Sequence, residues 1–500
     1  MEGLVDRIWA RDPSVWGPGE DDPAARLGWL TLPDSMAAEV PRLRRGAGAV
    51  AEEDVATVAL LGMGGSSLAP EVFARVLGPA PGHPELVVMD STHPAQVRAQ
   101  RDGLDLGRTL FIVSSKSGGT VETLSLYRYF RALIDDGNHF IAITDPGTSL
   151  TKLAANEGFR DIFENPPDIG GRFSALSLFG LVPAALVGID VAELLSRARR
   201  MAALCAPAAP AAANPGALLG TEIAERARGG RDKLTFVTSE RLAPFGDWVE
   251  QLLAESTGKQ GTGIVPVVGE PAVEPAAYGA DRTFVHLHES NDRTQQPFID
   301  ELAAAGHPCI VLDAGEAIDL GAEMFRWEFA TAVAGALLGI NAFDQPDVEA
   351  AKRAGRDILG GAGDISFRDE DPAGFFREVA PGELAALLAF APMTEERRSV
   401  IATLRGRLAA RGIATLCGFG PRYLHSTGQL LKGGPPGVRA LVILDEPEYD
   451  AAIPGSEHGF GRLVTAQALG DAQAMAAAGR RVVTCTWSAL VAFAAEEARP

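Results

Sequence analysis

The sequence predicts an α/β protein with two doubly wound, parallel-sheet domains and a C-terminal α/β extension. Short aliphatic runs typical of buried parallel strands recur along the chain, and the segments between them are long enough for crossover helices. A stretch rich in proline and alanine, residues 206–216, separates the first series of runs from the second and is the clearest linker. Together these features indicate repeated βαβ units.

The predicted strands fall into three series. The first is Val58–Leu61, Leu86–Met89, Leu110–Val113 and Phe140–Ile143; the second is Thr235–Thr238, Ile264–Val268, Thr283–Leu287 and Cys309–Leu312; the third is Ala414–Leu416, Ala440–Leu444 and Val482–Thr486. We therefore expect a helical N-terminal segment, a first domain, a second domain and the extension, at residues 1–50, 51–205, 217–356 and 357–500. In such sheets ligands bind beyond the carboxyl ends of the strands.

Composition excludes several classes of protein. The net charge of −20 argues against non-specific binding to nucleic acid or to an anionic membrane, although it is silent on a small anionic substrate. No apolar run reaches the roughly 18 residues of a membrane-spanning helix, and the N-terminus lacks the features of a secretory signal. The cysteines are far apart and show no metal-ligand spacing. We predict a cytoplasmic protein without a metal site.

Two loops after predicted strands are suited to an anionic ligand. Residues 62–67 (GMGGSS) permit close backbone approach to a ligand, although such turns also serve plain packing, and the dinucleotide fingerprint spacing is absent. Residues 114–120 (SSKSGGT) place hydroxyls and backbone N–H groups before a helix, where a phosphate is favoured. N-capping alone would explain only one of those hydroxyls. The second loop therefore predicts a phosphate site, and no Walker-type motif accompanies it.

Two further clusters contain charged groups of the kind that catalysis uses. Arg172 follows two glycines, so its guanidinium could reach a developing oxyanion, although a surface salt bridge is the plainer interpretation. Gln251 and Glu255 are four residues apart and share one face of a predicted helix. Glu255 could act there as a general base, whereas an isolated glutamate is more often a solvated surface residue.

The segment 339–352 (GINAFDQPDVEAAK) predicts a helix start. Asp344 or Gln345 would cap the helix with Pro346 in its first turn. Gln345 and Lys352 would then lie two turns apart on one face. Lys352 could hold its ammonium near a sugar ring oxygen, although most helical lysines simply extend into water.

Taken in order, these segments resemble the glucose-6-phosphate isomerase family. Residues 171–174 (GRFS) and the pattern from Phe343 to Lys352 look like that family's two signature regions, and the resemblance runs from about residue 55 to 352. Residues 420–429 (GPRYLHSTGQ) are similar to the isomerase half of transaldolase–isomerase fusion proteins. The resemblance implies two sugar-isomerase (SIS-type) domains. It also implies reversible isomerisation of glucose 6-phosphate and fructose 6-phosphate through a cis-enediolate.

The resemblance also implies roles for single residues. The phosphate would be bound by Ser115, Lys116, Ser117 and Thr120, and the sugar site would include Gly65, Ser66 and Gly171. Glu255 would move the proton between C2 and C1, and Arg172 would stabilise the enediolate. Gln251 and Gln345 would orient hydroxyls, and Lys352 would assist ring opening. Such a reaction needs neither a metal nor an organic cofactor.

One position departs from the family pattern. A ring-opening histidine that the partner subunit supplies in the family falls here at Gln296. His286, His288 and His425 are substitutes, and we favour His425 because it lies in a Gly- and hydroxyl-rich loop after a strand. The resemblance implies a homodimer, which the loss of this histidine makes less necessary.

Other functions stay open at this stage. The chain could isomerise another sugar phosphate such as mannose 6-phosphate, since sequence does not resolve contacts to the C2 hydroxyl. It could also be a non-catalytic phosphosugar sensor, which would not need Glu255, Arg172 and Lys352 together. A separate transaldolase is a further partner that the sequence leaves open.

Overall fold

The computed structural model describes residues 2–361 and 367–496, and their strands form three parallel sheets. Residues 362–366 and 497–500 of the predicted extension, and Met1, lie outside the described residues. The first sheet contains β1 (Thr57–Gly62), β2 (Glu85–Met89), β3 (Thr109–Ser114), β4 (Phe140–Thr144) and β5 (Asp161–Glu164). The second contains β6 (Lys233–Thr238), β7 (Val265–Val267), β8 (Arg282–His288) and β9 (Cys309–Asp313). The third contains β10 (Leu384–Phe390), β11 (Ala414–Phe419), β12 (Val438–Leu444) and β13 (Arg481–Thr486).

Helices connect and cover these sheets. The helices up to the linker are α1 (Glu2–Trp9), α2 (Leu32–Ser35), α3 (Val40–Glu52), α4 (Leu68–Leu77), α5 (Pro94–Asp102), α6 (Val121–Arg131), α7 (Ser149–Asn156), α8 (Leu178–Leu186) and α9 (Val191–Leu204). Those from the linker to residue 361 are α10 (Pro215–Arg228), α11 (Phe245–Thr257), α12 (Gln296–Ala304), α13 (Leu320–Leu338) and α14 (Val348–Leu359). The remaining helices are α15 (Pro372–Glu378), α16 (Glu395–Ala409), α17 (Gly428–Gly433), α18 (Phe460–Ala477) and α19 (Trp487–Glu496).

The three sheets share one strand order. The orders are β2-β1-β3-β4-β5, β7-β6-β8-β9 and β11-β10-β12-β13. In each sheet the second strand lies on one side of the first strand and the later strands lie on the other side. The crevice where the order of the strands changes in this way is where parallel sheets bind ligands. In the first sheet, β1 pairs with β3 up to Gly62 opposite Ser114. This pairing places the glycine turn and the serine-rich loop side by side.

The predicted α/β class with parallel sheets is confirmed, and every predicted run overlaps a strand. Two strands were not predicted, β5 at the edge of the first sheet and β10 inside the third. The division into domains at residues 205, 217 and 356 stays a prediction. The predicted linker connects α9 to α10, and both helices pack on α13.

One continuous core joins the first two sheets. It includes Leu60 and Ile112 of the first sheet, Trp248 of α11 and Trp327 of α13, all fully buried. The third sheet has separate cores on its two faces. Because α11 shares the core of the first sheet, its face toward the ligand edge of β1 and β3 is held rigidly. No helix in the described ranges 2–361 and 367–496 is long and apolar enough to span a membrane.

Candidate active site

The serine-rich loop is shaped as an anion cradle. Gly118 has a φ of +69°, which lets the chain turn back between β3 and α6. Thr120 precedes α6 but its side chain does not cap the helix; its hydroxyl lies 2.9 Å from the buried Ser115 hydroxyl instead. Ser117 is exposed and accepts from the Gly119 N–H at 3.3 Å. The N–H groups of the first turn of α6 are thus left for a ligand.

Lys116 is the charged residue of the serine-rich loop, residues 114–120, and its ammonium points away from the anion cradle. Its ammonium is paired with Asp145, beyond β4, and also contacts the Pro167 carbonyl at 3.4 Å. The pKa of Asp145 is raised by burial, although the Lys116 ammonium opposes the shift. The predicted contact of Lys116 with the phosphate would therefore come from its backbone rather than from its side chain.

The glycine turn, residues 62–67, packs against the loop that contains Arg172, residues 170–174. The contact leaves no room for a side chain on Gly65. A Cβ on Gly65 would lie 2.0 Å from the Gly171 carbonyl oxygen, and the Ser174 hydroxyl donates to the Gly65 carbonyl at 3.2 Å. A Cβ on Gly64 would lie 2.5 Å from the His425 carbonyl oxygen. Ser66 is buried in the same turn. The predicted sugar-site residues Gly65, Ser66 and Gly171 are thus neighbours.

Arg172 is buried, and its guanidinium contacts residues from several segments of the chain. Its guanidinium donates to the Ser256 hydroxyl at 2.7 Å, to the Gln345 side chain at 2.9 Å and to the Ala342 carbonyl at 2.6 Å. It also forms an ion pair of 3.1 Å with Glu255, and the arginine side chain is only 2% exposed. Burial lowers the pKa of Arg172, and Glu255 and other nearby carboxylates oppose that shift. The alternative interpretation of Arg172, a surface salt bridge, is therefore wrong.

Glu255 and Gln251 face the arginine from α11. The Gln251 amide donates to the Glu255 carboxylate at 3.1 Å and to the His425 carbonyl at 2.7 Å. Gln251 is buried, whereas the Glu255 side chain keeps 16% of its surface exposed. The predicted common face is confirmed. The carboxylate has one guanidinium beside it and an open side toward solvent.

The predicted helix start at Asp344 or Gln345 is wrong. Helix α14 begins at Val348 with Asp347 at its N-cap, and residues 341–344 before it form a buried turn. The turn is held because the buried Lys259 ammonium lies 2.8 Å from the Asp344 carboxylate and donates to the Asn341 carbonyl at 2.7 Å. Burial and Arg172 lower the pKa of Lys259 to about 8. This turn aims Gln345 at Arg172 instead of placing it on the helix.

Lys352 lies apart from the Glu255 cluster. It is on α14 with its side chain 46% exposed, and its ammonium pairs with Glu349 at 2.8 Å. It lines a cavity of about 390 Å³ that also includes Ser117, Gly119 and Thr120 of the phosphate loop. The predicted shared helix face with Gln345 is therefore wrong, and Lys352 lies instead beside the serine-rich loop.

His425 lines the same cavity. Its Nε2 is 3.0 Å from the Glu122 carboxylate, and that carboxylate also accepts from the Gln467 amide at 2.8 Å. Burial alone would raise the pKa of Glu122, but the His425 ring and its hydrogen bond hold the pKa below its usual value. Glu122 was not predicted to be a site residue, although it lies in the first turn of α6, just after the serine-rich loop.

The other candidate histidines do not reach this cavity. His286 and His288 lie on β8 with their rings stacked 4.8 Å apart, and each contacts a backbone carbonyl of the second sheet region. Gln296 begins α12 and donates to Asp300 at 2.8 Å. Of the histidines in the described ranges, His425 alone lines the cavity.

These observations define a class of protein. The chain is a parallel α/β protein with an anion cradle at the reversal of its first sheet and a carboxylate–guanidinium pair beside it. Such an arrangement suits proton transfer on a small phosphorylated substrate.

The chain belongs to the glucose-6-phosphate isomerase family. The family model for phosphoglucose isomerase matches residues 32–272. A probable glucose-6-phosphate isomerase of Methanococcus maripaludis is 30% identical over 349 residues, 61% of this chain and 79% of that protein. One of Natronomonas pharaonis is 33% identical over 356 residues, 63% of this chain and 81% of that protein. A glucose-6-phosphate isomerase of a Synechococcus species is 31% identical, and the match covers 65% of its length.

Solved structures share the fold. A hypothetical protein of Thermus thermophilus superimposes with a TM-score of 0.60 at 27% identity, covering 72% of this chain and 94% of that one. A glucose-6-phosphate isomerase of Chlamydia trachomatis gives a TM-score of 0.60 at 21% identity, covering 75% of this chain and 86% of that one. The second likeness concerns the fold alone.

Proposed function

We propose that this protein interconverts glucose 6-phosphate and fructose 6-phosphate by moving one proton between C2 and C1. The main support is the Glu255 carboxylate, which lies 3.1 Å from the Arg172 guanidinium and 3.1 Å from the Gln251 amide beside the anion cradle. Family membership supports the same reaction. The substrate and the roles of the residues are our proposals.

The phosphate would bind at the loop before α6. The free N–H groups there, the helix dipole and the hydroxyls of Ser117 and Thr120 all favour a dianion. The ring would then occupy the adjoining cavity of about 390 Å³, between Lys352 and His425. Glu255 of α11 does not line this cavity, so C1 and C2 would extend from the cavity past the His425 turn toward α11.

Glu255 would take the proton from C2 of the open-chain aldose and return it to C1. The electron pair left at C2 forms the C1–C2 double bond, and the C1 carbonyl oxygen becomes the enediolate oxygen. The proton of the O2 hydroxyl passes to O1, so that protonation at C1 leaves the carbonyl at C2. Arg172 would stabilise that negative charge, since its guanidinium is fixed by four hydrogen bonds to other groups before any substrate arrives. One carboxylate above the plane can serve both carbons.

Ring opening would use His425 and Lys352. The base must accept a proton from the O1 hydroxyl while an acid supplies one to the ring oxygen, so that the C1–O5 bond breaks without net charge. His425 Nε2 is engaged by Glu122, which orients the ring and leaves its other nitrogen for the sugar. Lys352 faces the same cavity from α14.

Two alternatives lead to different measurements. Delivery of the proton to the other face at C2 would produce mannose 6-phosphate, which chromatography of the products would detect. A phosphosugar sensor would bind the substrate without turning it over. The similarity of residues 420–429 to transaldolase–isomerase fusions also suggests a separate transaldolase as partner, which a pull-down would test.

The decisive assay mixes the purified protein with fructose 6-phosphate, no added metal, and an NADP-linked dehydrogenase that consumes glucose 6-phosphate. Glu255→Gln should lower kcat by about 10³-fold, within the usual range for a general base. Glu250→Gln is the matched control, because Glu250 is on the same helix but lines a different cavity. Unchanged turnover in Glu255→Gln would disprove the assignment of the base. Binding of fructose 6-phosphate without turnover in the wild type would support the sensor.

A further inference from the structure

A short turn of the C-terminal part enters the site between the first two sheets. It comprises residues Arg422–His425 and follows β11 of the third sheet. It separates two cavities: Leu424 and His425 line the substrate cavity, whereas Arg422 and Tyr423 line a second cavity of about 270 Å³. We call the side with Leu424 and His425 the substrate side of the turn, and the side with Arg422 and Tyr423 its structural side.

On the structural side, Arg422 joins three carboxylates from the other two sheets. Its guanidinium contacts Glu71 of α4, lies 2.7 Å from Asp90 after β2, and lies 3.8 Å from Asp247 of α11. Burial would lower the pKa of Arg422, but the three carboxylates outweigh burial and hold that pKa above its usual value. A planar guanidinium with several donors can bridge three acids, which a lysine cannot match.

On the substrate side, the same turn contacts the catalytic cluster directly. The His425 carbonyl accepts from Gln251, which also donates to Glu255, and the His425 ring contacts Glu122. The approach at Gly64 is too close for any Cβ. A shift of the turn would therefore move the imidazole away from Glu122, whereas Glu255 keeps its contact with Arg172.

A second attachment holds the following helix. The Gln429 amide donates to the Gly258 carbonyl at 3.0 Å and to the Asp347 carboxylate at 2.6 Å, and its oxygen accepts from the Asp347 N–H at 3.0 Å. These contacts fix the start of α17 against α11 and against the start of α14. The third sheet is thus attached on both sides of His425.

We propose that Arg422 is a positioning residue that seats the 422–425 turn, so that the third sheet completes the active site within one chain and no second copy has to supply a histidine. This inference rests on the proposed isomerase function and goes beyond it by identifying the group that holds His425 in place. It predicts that Arg422 acts through His425 and not through Glu255.

The test compares four variants in the coupled assay: Arg422→Gln, Arg422→Lys, His425→Ala and the double variant Arg422→Gln/His425→Ala. Arg398→Gln is the control, because Arg398 lines the same second cavity but has no carboxylate within 4.0 Å among the described residues. We expect Arg422→Gln to lower kcat by about 10- to 100-fold with little change in KM, because the phosphate loop is untouched. Arg422→Lys should recover part of the loss, and Arg398→Gln should stay within about two-fold.

The double variant separates positioning from plain stability. If Arg422 acts through His425, the double variant should be no slower than His425→Ala alone, because effects of groups that act as one unit do not add. Multiplied losses, or a fully active Arg422→Gln, would overturn the inference even with an active wild type. A wild type without isomerase activity would instead refute the proposed function.

Dilution gives an independent measurement on the unmodified protein. A site that is complete in one chain should keep constant specific activity while the enzyme is diluted about 10³-fold, with the sedimentation profile recorded alongside. Activity that falls in step with dissociation of a dimer would contradict the inference, and it would do so even if the Arg422 variants failed to fold.

Discussion

His425 Nε2 lies 3.0 Å from the Glu122 carboxylate, although 303 positions separate the two residues in the chain. Glu122 lies in the first turn of α6, after the serine-rich loop, and His425 ends the turn after a strand of the third sheet. The pair therefore joins the first and third sheets beside the cavity of about 390 Å³ that both residues line. A carboxylate placed behind an imidazole fixes its orientation, and the first prediction concerns this pair.

Replacing Glu122 with glutamine should lower kcat by about 10-fold, because the amide keeps the size of the side chain but removes the charge that orients His425. Steady-state kinetics with fructose 6-phosphate would measure the change. Glu157→Gln serves as control, since that exposed residue pairs with Arg131 at the far end of α6. Equal activity of Glu122→Gln and the wild type would show that the carboxylate has no role in turnover.

Gly65→Ala should disrupt the site by backbone contact. The added Cβ would lie 2.0 Å from the Gly171 carbonyl oxygen, so the glycine turn and the arginine loop would have to move apart. We expect kcat to fall at least about 10-fold, since small displacements of catalytic groups are costly. Gly48→Ala in α3 is the matched control, because its Cβ would meet nothing within 4 Å. A Gly65→Ala protein with unchanged kinetics would contradict the close approach.

Arg172→Lys should lose both stability and activity. A lysine cannot reproduce donations to Ser256, Gln345 and the Ala342 carbonyl, and it would leave Glu255 with a poorer partner. We expect the free energy of unfolding to fall by about 3 kcal/mol and kcat by at least about 100-fold. Urea unfolding and the coupled assay would measure these quantities. Arg75→Lys, a half-exposed arginine, should change either little.

Glu328 of α13 should make stability fall as pH rises. It is fully buried, neither carboxylate oxygen has a hydrogen-bond partner in the described part of the chain, and burial raises its pKa well above the usual value. Above about pH 4.5 the unfolded chain releases this proton while the folded protein keeps it, so stability is lost by up to about 1.4 kcal/mol per pH unit.

Glu328→Gln removes that titration without changing the shape of the side chain. The variant should show a flatter dependence of unfolding free energy on pH between about pH 5 and 8 than the wild type. The exposed Glu225→Gln should leave the slope unchanged. Parallel curves for Glu328→Gln and the wild type would mean that Glu328 is ionised in the folded protein.

The strand series was largely predictable because these strands coincide with short, mostly aliphatic runs that contain β-branched or aromatic residues. β10 was not, since its sequence LAALLAF contains no β-branched residue and reads equally well as a helix. Its place between β11 and β12, buried on both faces, overrides that preference. β5 (DIFE) was not predicted because it is a short edge strand with acidic ends, so its sequence contains no run of apolar residues typical of a buried strand.

Within the site, the local sequence pattern predicted those features that a single helix or a single loop determines. Gln251 and Glu255 share a helix, and the loop before α6 follows directly from its serines and glycines. The start of α14 was misplaced because the turn before it is set by Lys259 and Arg172, which are distant in sequence. The contacts of His425 and Arg422 depend on how the third sheet docks, and no local pattern contains that information.

The three carboxylates around Arg422 bear on how the protein is made. Glu71, Asp90 and Asp247 are all translated well before Arg422, so a nascent chain at the ribosome has these acids with Arg75 beside Asp247 but without the guanidinium that bridges all three. Their mutual repulsion should keep the first two sheets from closing prematurely until β11 emerges. The third sheet would then dock by completing this ion-pair cluster, and activity would appear only after Arg422 has left the ribosome.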